Sequence, residues 1–230
     1  MARGTPAAPA PARPGQAVKL RLTEIFYSIQ GESTLAGSPC VFIRLTGCPL
    51  RCVYCDTAYA FHGGTTVSVE EILDRVRAFG CELVELTGGE PLSQRGSALL
   101  VRRLADKGHT VLLETAGNEP IEAVDPRVKI IYDVKTPGSG EAGRNRWENL
   151  DHLKPGDEIK FVICSREDYE WARDVVRERG LAGRHTVHFS PSFAVVANER
   201  LASWILEDRL PVRLHLQIHK YIWDPQARGV

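Results

Sequence analysis

The sequence has 230 residues, 43% hydrophobic and 25% charged, and its 29 Lys and Arg residues balance 29 Asp and Glu residues. This is the profile of a globular protein with a substantial core, and the zero net charge gives no sign of a nucleic-acid partner. Six cysteines are too few for a disulfide scaffold, and no stretch is long and apolar enough for a bilayer, so we expect a cytoplasmic protein with no membrane partner.

The chain begins with a segment rich in Ala and Pro over residues 1–16, which lacks the apolar run of a signal peptide. We expect a disordered leader there and a folded domain over residues 17–230. Apolar residues roughly alternate over residues 18–27, which predicts a strand, and residues 40–45 predict a second one. Gly47 and Pro49 then end this strand and begin a loop that carries three cysteines.

After this loop, helical and strand patterns alternate with short connections. Helices are predicted over residues 68–79, with Ser68 as the N-cap, 97–107, 167–179 and 198–208. Strands are predicted over residues 82–86, 110–113, 129–133, 158–163, 186–189 and 212–216. This alternation predicts an α/β fold with a mainly parallel sheet, and about six such strands suit an incomplete (β/α) barrel better than a closed one.

The loop after the second strand carries Cys48, Cys52 and Cys55 in the order C-x3-C-x2-C. Three thiolates can hold three irons of a [4Fe–4S] cube, which leaves the fourth iron free to bind S-adenosylmethionine. The alternatives are a zinc site with His62 as fourth ligand, a disulfide, or chance, although structural zinc more often uses two C-x2-C pairs. The other cysteines, Cys40, Cys81 and Cys164, are interpreted as small buried hydrophobic residues.

Polar or glycine-rich segments follow several predicted strands, and the clearest is Thr87-Gly88-Gly89-Glu90-Pro91. Two glycines allow a backbone to approach a ligand closely, although an ordinary β–α turn is the alternative. Because active sites of parallel α/β folds lie at the carboxyl ends of the strands, these segments predict one shared site.

Together these motifs resemble the radical S-adenosylmethionine superfamily. Within it, the chain is similar to the 7-carboxy-7-deazaguanine synthase family from residue 18 to residue 225. The segments that carry this resemblance are Phe26-Tyr27-Ser28-Ile29-Gln30-Gly31-Glu32-Ser33, Phe42-Ile43-Arg44-Leu45-Thr46-Gly47-Cys48, Cys55-Asp56-Thr57 and Gln217-Ile218-His219-Lys220-Tyr221-Ile222-Trp223.

The resemblance implies a lyase of the queuosine and 7-deazapurine pathway. A 5′-deoxyadenosyl radical, generated from S-adenosylmethionine at a [4Fe–4S] cluster, would act on 6-carboxy-5,6,7,8-tetrahydropterin and give 7-carboxy-7-deazaguanine with loss of ammonia. The resemblance also implies Mg2+, an external flavodoxin- or ferredoxin-like electron donor, and a homodimer. The alternatives are an activase of glycyl-radical enzymes and a metal-binding protein without catalysis.

The resemblance also implies roles for individual residues. Cys48, Cys52 and Cys55 would bind the cluster, and Thr57 would bind Mg2+. Residues that would contact S-adenosylmethionine are Tyr54, Cys55, Asp56, Gly89, Asp133, Val134, Lys135, His188, Phe189, Ser190 and Pro191. Residues that would contact the pterin are Ile29, Gln30, Gly31, Glu32, Arg44, Thr87, His219 and Pro225.

The position of Arg44 also indicates a binding role independently of the resemblance. It lies within an apolar strand, where an unpaired guanidinium is costly. Its planar fork suits the substrate carboxylate, and a structural ion pair is the alternative. A solvated turn is the alternative for Gln30 and Glu32, and a core histidine for His219. Residues 226–230 continue past the resemblance, so a role for a C-terminal carboxylate is not assigned.

Overall fold

A computed structural model of the chain describes residues 17–230, and the leader expected over residues 1–16 lies outside the described part. The described residues form nine strands and five α-helices. The strands are β1 Lys19–Ile29, β2 Pro39–Leu45, β3 Thr65–Ser68, β4 Leu83–Gly88, β5 Thr110–Thr115, β6 Lys129–Val134, β7 Glu158–Ile163, β8 Thr186–Pro191 and β9 Arg213–Leu214. The helices are α1 Val69–Arg77, α2 Ser97–Asp106, α3 Arg166–Glu178, α4 Asn198–Glu207 and α5 His219–Ile222.

All nine strands belong to one sheet, in the order β3-β1-β2-β4-β5-β6-β7-β8-β9. β1 is antiparallel to both of its neighbours, and every pair from β2 to β9 is parallel. Within the described residues β3 and β9 are the edges and do not pair with each other, so the barrel is open. The predicted fold class is therefore confirmed.

The predicted elements are present, and the differences lie at short segments. The strand β3 and the helix α5 were not predicted, since each has only four residues. The strand predicted over residues 212–216 is shorter in the structure, where β9 contains two residues. Such short elements carry too few periodic positions for a pattern to be recognised.

The sheet has two faces with different roles. Its outer face is apolar and packs on the helices in two clusters, one around α1 and α2 and one around α3 and α4. On its inner face, apolar residues such as Phe42, Leu112 and Ile131 lie towards the amino ends of the strands. Further along the same face come charged residues, including Glu114 and Lys160. The helices therefore cover one side, and the other side is left for a polar site.

None of the helices in residues 17–230 combines the length and the hydropathy that a membrane crossing requires.

The N-terminus of α1 offers a test of the local structure. Ser68 Oγ accepts a hydrogen bond from the Glu71 amide at 3.2 Å, as the predicted N-cap requires. We expect Ser68→Ala to lower the free energy of unfolding by about 1 kcal/mol, because one amide of the first turn loses its partner. Urea denaturation measures this change. Ser68→Asn, which also caps, should stay near the wild-type value, and an equally stable Ser68→Ala protein would contradict the assignment.

Candidate active site

A cavity of about 720 Å3 opens at the carboxyl ends of β2 and β4 to β8. Its wall contains the cysteine loop, the turn after β4 and the segments that follow β5, β6 and β8. Residues predicted from the sequence that line it are Ile29, Gln30, Gly31, Glu32, Arg44, Cys48, Cys52, Tyr54, Cys55, Asp56, Thr57, Thr87, Gly89, Asp133, Lys135, Ser190, Pro191, His219 and Pro225. The fold thus gathers residues that lie far apart in the sequence around one space.

The cysteine loop is held by hydrogen bonds to neighbouring segments. The Gly47 amide donates to the carbonyl of Ala60 at 2.8 Å, and the Val53 amide donates to the carbonyl of Ser139 at 3.1 Å. Arg51 donates from its amide to Glu141 Oε1 at 2.6 Å and from Nη1 to the Cys48 carbonyl at 2.7 Å. The three thiols therefore project from a fixed backbone into the cavity.

The chemistry of the three thiols fits an iron–sulfur cluster. Burial raises the pKa of Cys48 and Cys55, and that of Cys52 to about 11, and neighbouring thiolates further oppose ionisation of Cys48 and Cys52. The Lys135 ammonium is the cation that favours all three thiolates. Ligand thiols with raised pKa values lose their protons when a metal binds, because the metal replaces the proton.

The spacing of the thiols differs from that of a single-ion site. Among residues 17–230, no three His, Cys, Asp or Glu side chains converge as the ligands of one metal ion do. In a cube each thiolate binds a different iron, so the three sulfurs need not converge on a point. The three thiols are therefore compatible with a cluster in which each binds its own iron.

The turn after β4 packs directly on the residues that precede the cysteine loop. A Cβ added at Gly88 would overlap the backbone of Leu45, and one added at Gly89 would overlap the carbonyl of Gly47. The Glu90 amide also donates to that Gly47 carbonyl at 2.8 Å. The glycines were expected to allow a ligand to approach the backbone. Their structural reason is the contact between two loops, although Gly89 still lines the cavity.

Glu90 ties this turn to the end of β5. Its carboxylate accepts hydrogen bonds from the amides of Leu92 and Ala116 and from Thr115 Oγ1, at 2.7 to 3.0 Å. Burial nevertheless raises the pKa of Glu90 to about 7. Glu90, the charged residue of the GGEP motif, is therefore a structural anchor between two loops of the site.

Polar atoms without a partner lie beside the cysteine loop. Tyr54 Oη and Asp133 Oδ1 are buried and have no hydrogen-bond partner within the described residues, and both residues line the cavity. Asp133 Oδ2 accepts from Lys135 Nζ at 2.9 Å, so this side of the cavity also holds a buried ion pair. Unsatisfied buried polar atoms are costly, and a polar ligand such as S-adenosylmethionine would satisfy them.

Three residues predicted to contact S-adenosylmethionine are not brought to the cavity. Val134 and Phe189 lie in the apolar cluster on the outer face, because side chains alternate along β6 and β8. His188 lies deeper on the inner face, where its Nε2 is 2.6 Å from Glu158 Oε2. Sequence resemblance places a strand at the site but does not distinguish its two faces.

The floor of the cavity is a buried network centred on Lys160. Its Nζ lies 2.8 Å from Glu32 Oε2 and 3.6 Å from Asp133 Oδ2, and it also donates to Glu114 Oε1. Gln217 Nε2 donates to the second oxygen of Glu32 at 2.7 Å. Although burial alone would raise the pKa of Glu32, the Lys160 charge holds it well below the usual range.

A second carboxylate in the floor has the opposite behaviour. Burial, together with the charge of Glu114, raises the pKa of Glu85 to about 8, so this group is largely protonated at neutral pH. Glu85 accepts a hydrogen bond from Gln30 Nε2, and Gln30 Oε1 accepts from the Glu32 amide at 3.0 Å. The turn that follows β1 is therefore fixed to the floor by its own polar residues, and is not the solvated turn considered as the alternative.

The sequence motifs that are farthest apart meet at the rim of the cavity. A Cβ added at Gly31 would overlap His219 Nδ1, and the Gly31 carbonyl accepts from the Ile218 amide at 3.0 Å. Lys220 Nζ lies 2.6 Å from Asp56 Oδ2, and Asp56 Oδ1 accepts from Thr57 Oγ1 at 2.9 Å. Helix α5 thus joins the turn after β1 to the end of the cysteine loop.

Arg44 is both a cavity residue and a member of an ion pair. Its Nε lies 2.8 Å from Glu24 Oε1, and this oxygen also accepts from Tyr59 Oη at 2.7 Å. The guanidinium lies over the rings of Phe26 and Tyr59, 5.6 and 5.9 Å from their centroids. The ion pair uses Nε. Within residues 17–230, the two terminal nitrogens of Arg44 have no hydrogen-bond partner.

Four residues of the floor, Glu85, Glu114, Lys160 and Gln217, were assigned no role from the sequence. The first three carried the same signal as Arg44, since each is a charged residue inside an apolar strand pattern. This signal could have identified them as inner-face residues facing a polar site. Gln217 lacked this charge signal, because it is an uncharged residue in an irregular segment after β9, although it begins one of the segments that carry the resemblance.

Comparisons with known sequences and structures show which proteins the chain is similar to. A sequence profile of the radical SAM superfamily matches residues 42–133. The chain is 48% identical to the 7-carboxy-7-deazaguanine synthase of Chlorobaculum tepidum, over 92% of this chain and 97% of that protein. It is 47% identical to that of Koribacter versatilis, over 92% and 100% of the two chains. The fold matches a crystal structure of QueE from Escherichia coli with a TM-score of 0.72 and 22% identity, covering 86% of this chain and 93% of that one.

The contact between Gly31 and His219 gives a steric prediction. We expect Gly31→Ala to displace His219 and loosen α5, because the added methyl group occupies the position of the imidazole. Hydrogen exchange measured by mass spectrometry should become faster in peptides that cover residues 217–223. Gly143→Ala is the matched control, since a Cβ there meets open space. Unchanged exchange in the Gly31→Ala protein would show that this contact does not hold the helix.

Glu85 gives a prediction on pH. The unfolded chain releases this proton near pH 4.5 and the folded protein holds it to about pH 8, so the folded state binds more protons in that window. Stability should therefore fall as the pH rises from 4.5 to 8. We expect Glu85→Gln to make this fall shallower in urea denaturation at pH 5 to 8. The exposed Glu82→Gln should keep the wild-type slope, and the same slope in Glu85→Gln would contradict the assignment.

Proposed function

The chain belongs to the family of 7-carboxy-7-deazaguanine synthases, which are radical S-adenosylmethionine lyases, and on this basis we propose that it converts 6-carboxy-5,6,7,8-tetrahydropterin to 7-carboxy-7-deazaguanine with loss of ammonia. The observation that carries the proposal is the meeting of three motifs around the thiols. Gly31 contacts His219, and Asp56 pairs with Lys220, on the rim of the cavity that contains the three cysteines. An activase of glycyl-radical enzymes would have no need for this closure.

Cys48, Cys52 and Cys55 would hold a [4Fe–4S] cluster with one iron open to S-adenosylmethionine. The cluster and S-adenosylmethionine would together supply the carbon radical that takes a hydrogen atom from the pterin. Tyr54, Asp133 and Lys135 would bind S-adenosylmethionine, because they place two unsatisfied oxygens and one ammonium beside the thiols. Ser190 and Pro191 complete this side of the cavity.

The two ends of the pterin differ in chemistry, and so do the two sides of the remaining cavity. The pyrimidine edge of the pterin carries N–H donors, which match the carboxylates of Glu32 and Glu114 in the floor. The substrate carboxylate matches Arg44, whose terminal nitrogens form a planar fork. Thr87 lies beside Arg44 in the register of β2 and β4, and His219 covers the floor from the rim.

Thr57 would contribute a hydroxyl ligand to Mg2+. The metal prefers hard oxygen ligands and retains water and substrate oxygens, so it needs few ligands from the protein. Thr57 Oγ1 lies in the cavity wall beside Asp56, whose carboxylate is held by Lys220. Although burial opposes its ionisation, the Lys220 charge keeps the pKa of Asp56 below its usual value. A negative charge next to Thr57 favours a cation there.

Water exclusion is the remaining requirement, because a carbon radical must be kept from solvent and from other side chains. The inner face below the charged floor is closed by Phe42, Leu112 and Ile131. Helix α5 and the residues that follow it cover the rim. A homodimer and a flavodoxin- or ferredoxin-like electron donor are part of the proposal through the family alone.

The test is an anaerobic assay with the synthetic pterin, S-adenosylmethionine, Mg2+ and a reductant. We expect the wild-type protein to contain about four irons and four sulfides per chain and to release ammonia and the deazaguanine product without a protein partner. Cys52→Ala should lose iron, sulfide and turnover, because one ligand of the cluster is removed. Cys81→Ala is the matched control and should retain all three, since Cys81 lies outside the cavity lining.

Two results would overturn the proposal. A protein that binds zinc but no iron and sulfide would be a metal-binding protein of another kind. A protein that cleaves S-adenosylmethionine but leaves the pterin unchanged would act on a different substrate.

The role of Thr57 has its own test. Omission of Mg2+ should lower turnover of the wild-type protein and have little effect on turnover of Thr57→Ala. An equal response of both proteins would remove Thr57 from the metal site.

A further inference from the structure

The segment after Pro225 has a defined local structure that brings it back to the cavity. The Asp224 carbonyl accepts from the Ala227 amide at 2.9 Å, which closes a four-residue turn with Pro225 in its second position. Asp224 Oδ1 also accepts from the Gln226 amide at 2.8 Å. Asp is common in the first position of such a turn because its side chain accepts a hydrogen bond from the backbone. Pro is common in the second position because its ring fixes φ. The turn leads to Arg228, which lines the cavity.

Arg228 lies on the same aromatic ring as Arg44. Its Cζ atom is 4.2 Å from the centroid of the Tyr59 ring, while the Arg44 Cζ atom is 5.9 Å from that centroid. Tyr59 is itself fixed, since its hydroxyl donates to Glu24 at 2.7 Å. Cation–π contact of this kind positions a guanidinium without using its N–H donors.

The charges on this wall are unequally matched. Glu24 is already engaged by Arg44 and Tyr59, and Asp224 accepts from the backbone of its own turn. Within residues 17–230, Arg228 forms neither an ion pair nor a hydrogen bond. Arg228 is exposed to solvent, and it lines the same cavity as Arg44. Within the described residues, the terminal nitrogens of Arg44 and the guanidinium of Arg228 are therefore both available to a ligand. Such a pair of donors fits a planar anion, and a carboxylate is the planar anion of matching geometry.

We propose that Arg228 is a second binding residue for the carboxylate of the substrate and acts together with Arg44, which lies over the same Tyr59 ring. This inference rests on the proposed function, because it takes the 6-carboxyl group of the pterin as the anion. It assigns a specificity role to Arg228, which follows the last of the segments that carry the resemblance. The carboxylate would be held from two sides, while the ring edge binds to the floor.

Equilibrium binding tests this role separately from turnover. Anaerobic calorimetry on the cluster-loaded protein would compare 6-carboxy-5,6,7,8-tetrahydropterin with tetrahydropterin that lacks the carboxyl group. We expect Arg228→Ala to weaken binding of the carboxylated ligand by about tenfold, the scale of a hydrogen bond to a charged group, and to leave the other ligand unaffected. Arg228→Lys should recover part of the loss, because it keeps the charge without the fork. The exposed Arg200→Ala on α4 is the matched control and should bind both ligands as the wild type does.

The outcomes distinguish this inference from the proposed function. If the wild type binds neither ligand, the proposed function fails and the inference fails with it. If the wild type binds the carboxylated ligand and Arg228→Ala binds it equally well, only the role of Arg228 is overturned. An equal loss for both ligands would also overturn it, since Arg228 would then only pack on Tyr59. Thermal unfolding of Arg228→Ala and Arg228→Lys at the wild-type temperature would confirm that these differences do not come from misfolding.

Discussion

The buried ammonium of Lys160 is the interaction on which the rest of the site depends. It contacts the carboxylates of Glu32, Glu114 and Asp133, and its side chain is only 7% exposed. Removing such charges from water is expensive, so the group is tolerated only because each charge meets an opposite one. Since the partners come from the turn after β1 and from β5 and β6, one residue of β7 holds four segments in a fixed relation.

This network also determines how much charge the site presents. Lys160 and Lys135 oppose the negative charges of Glu32, Glu114 and Asp133, and burial keeps Glu85 largely protonated at neutral pH. The floor is therefore not saturated with cations and can accept the N–H donors of a heterocycle. The unpaired guanidinium groups lie on another wall, near Tyr59. A ligand with a donor-rich end and an anionic end is matched by this separation, and a symmetrical ligand is not.

The rim shows how separate motifs become one enclosure. Lys220 contacts Asp56, although the two residues are 164 positions apart in the sequence. His219 fills the space beside Gly31, where a larger residue would place its side chain. These contacts join the cysteine loop to the turn after β1, which contacts the floor of the cavity. The positions proposed to bind S-adenosylmethionine and those proposed to bind the pterin are therefore connected through α5. This mechanical link is consistent with a reaction in which the two ligands must be held together and away from water.

The sequence alone determined the features that depend on local order. The cysteine spacing, the GGEP turn, the Ser68 cap and the alternation of strands and helices were all evident, because each depends on neighbouring residues or on a short period. The fold class and the family followed from these features. The sequence also showed that Arg44 needs a partner, though not that Glu24 would be one.

Only the tertiary structure decided which distant charges meet and which face of each strand is turned to the cavity. Glu32 and Lys160 are 128 residues apart, and their contact depends on strand order and register across the sheet. Val134 and Phe189 belong to strands of the site yet face the helices, since a strand alternates its sides at every residue. Which distant residues meet, and which face of the sheet a side chain occupies, are properties of the assembled sheet, and no short sequence pattern contains them.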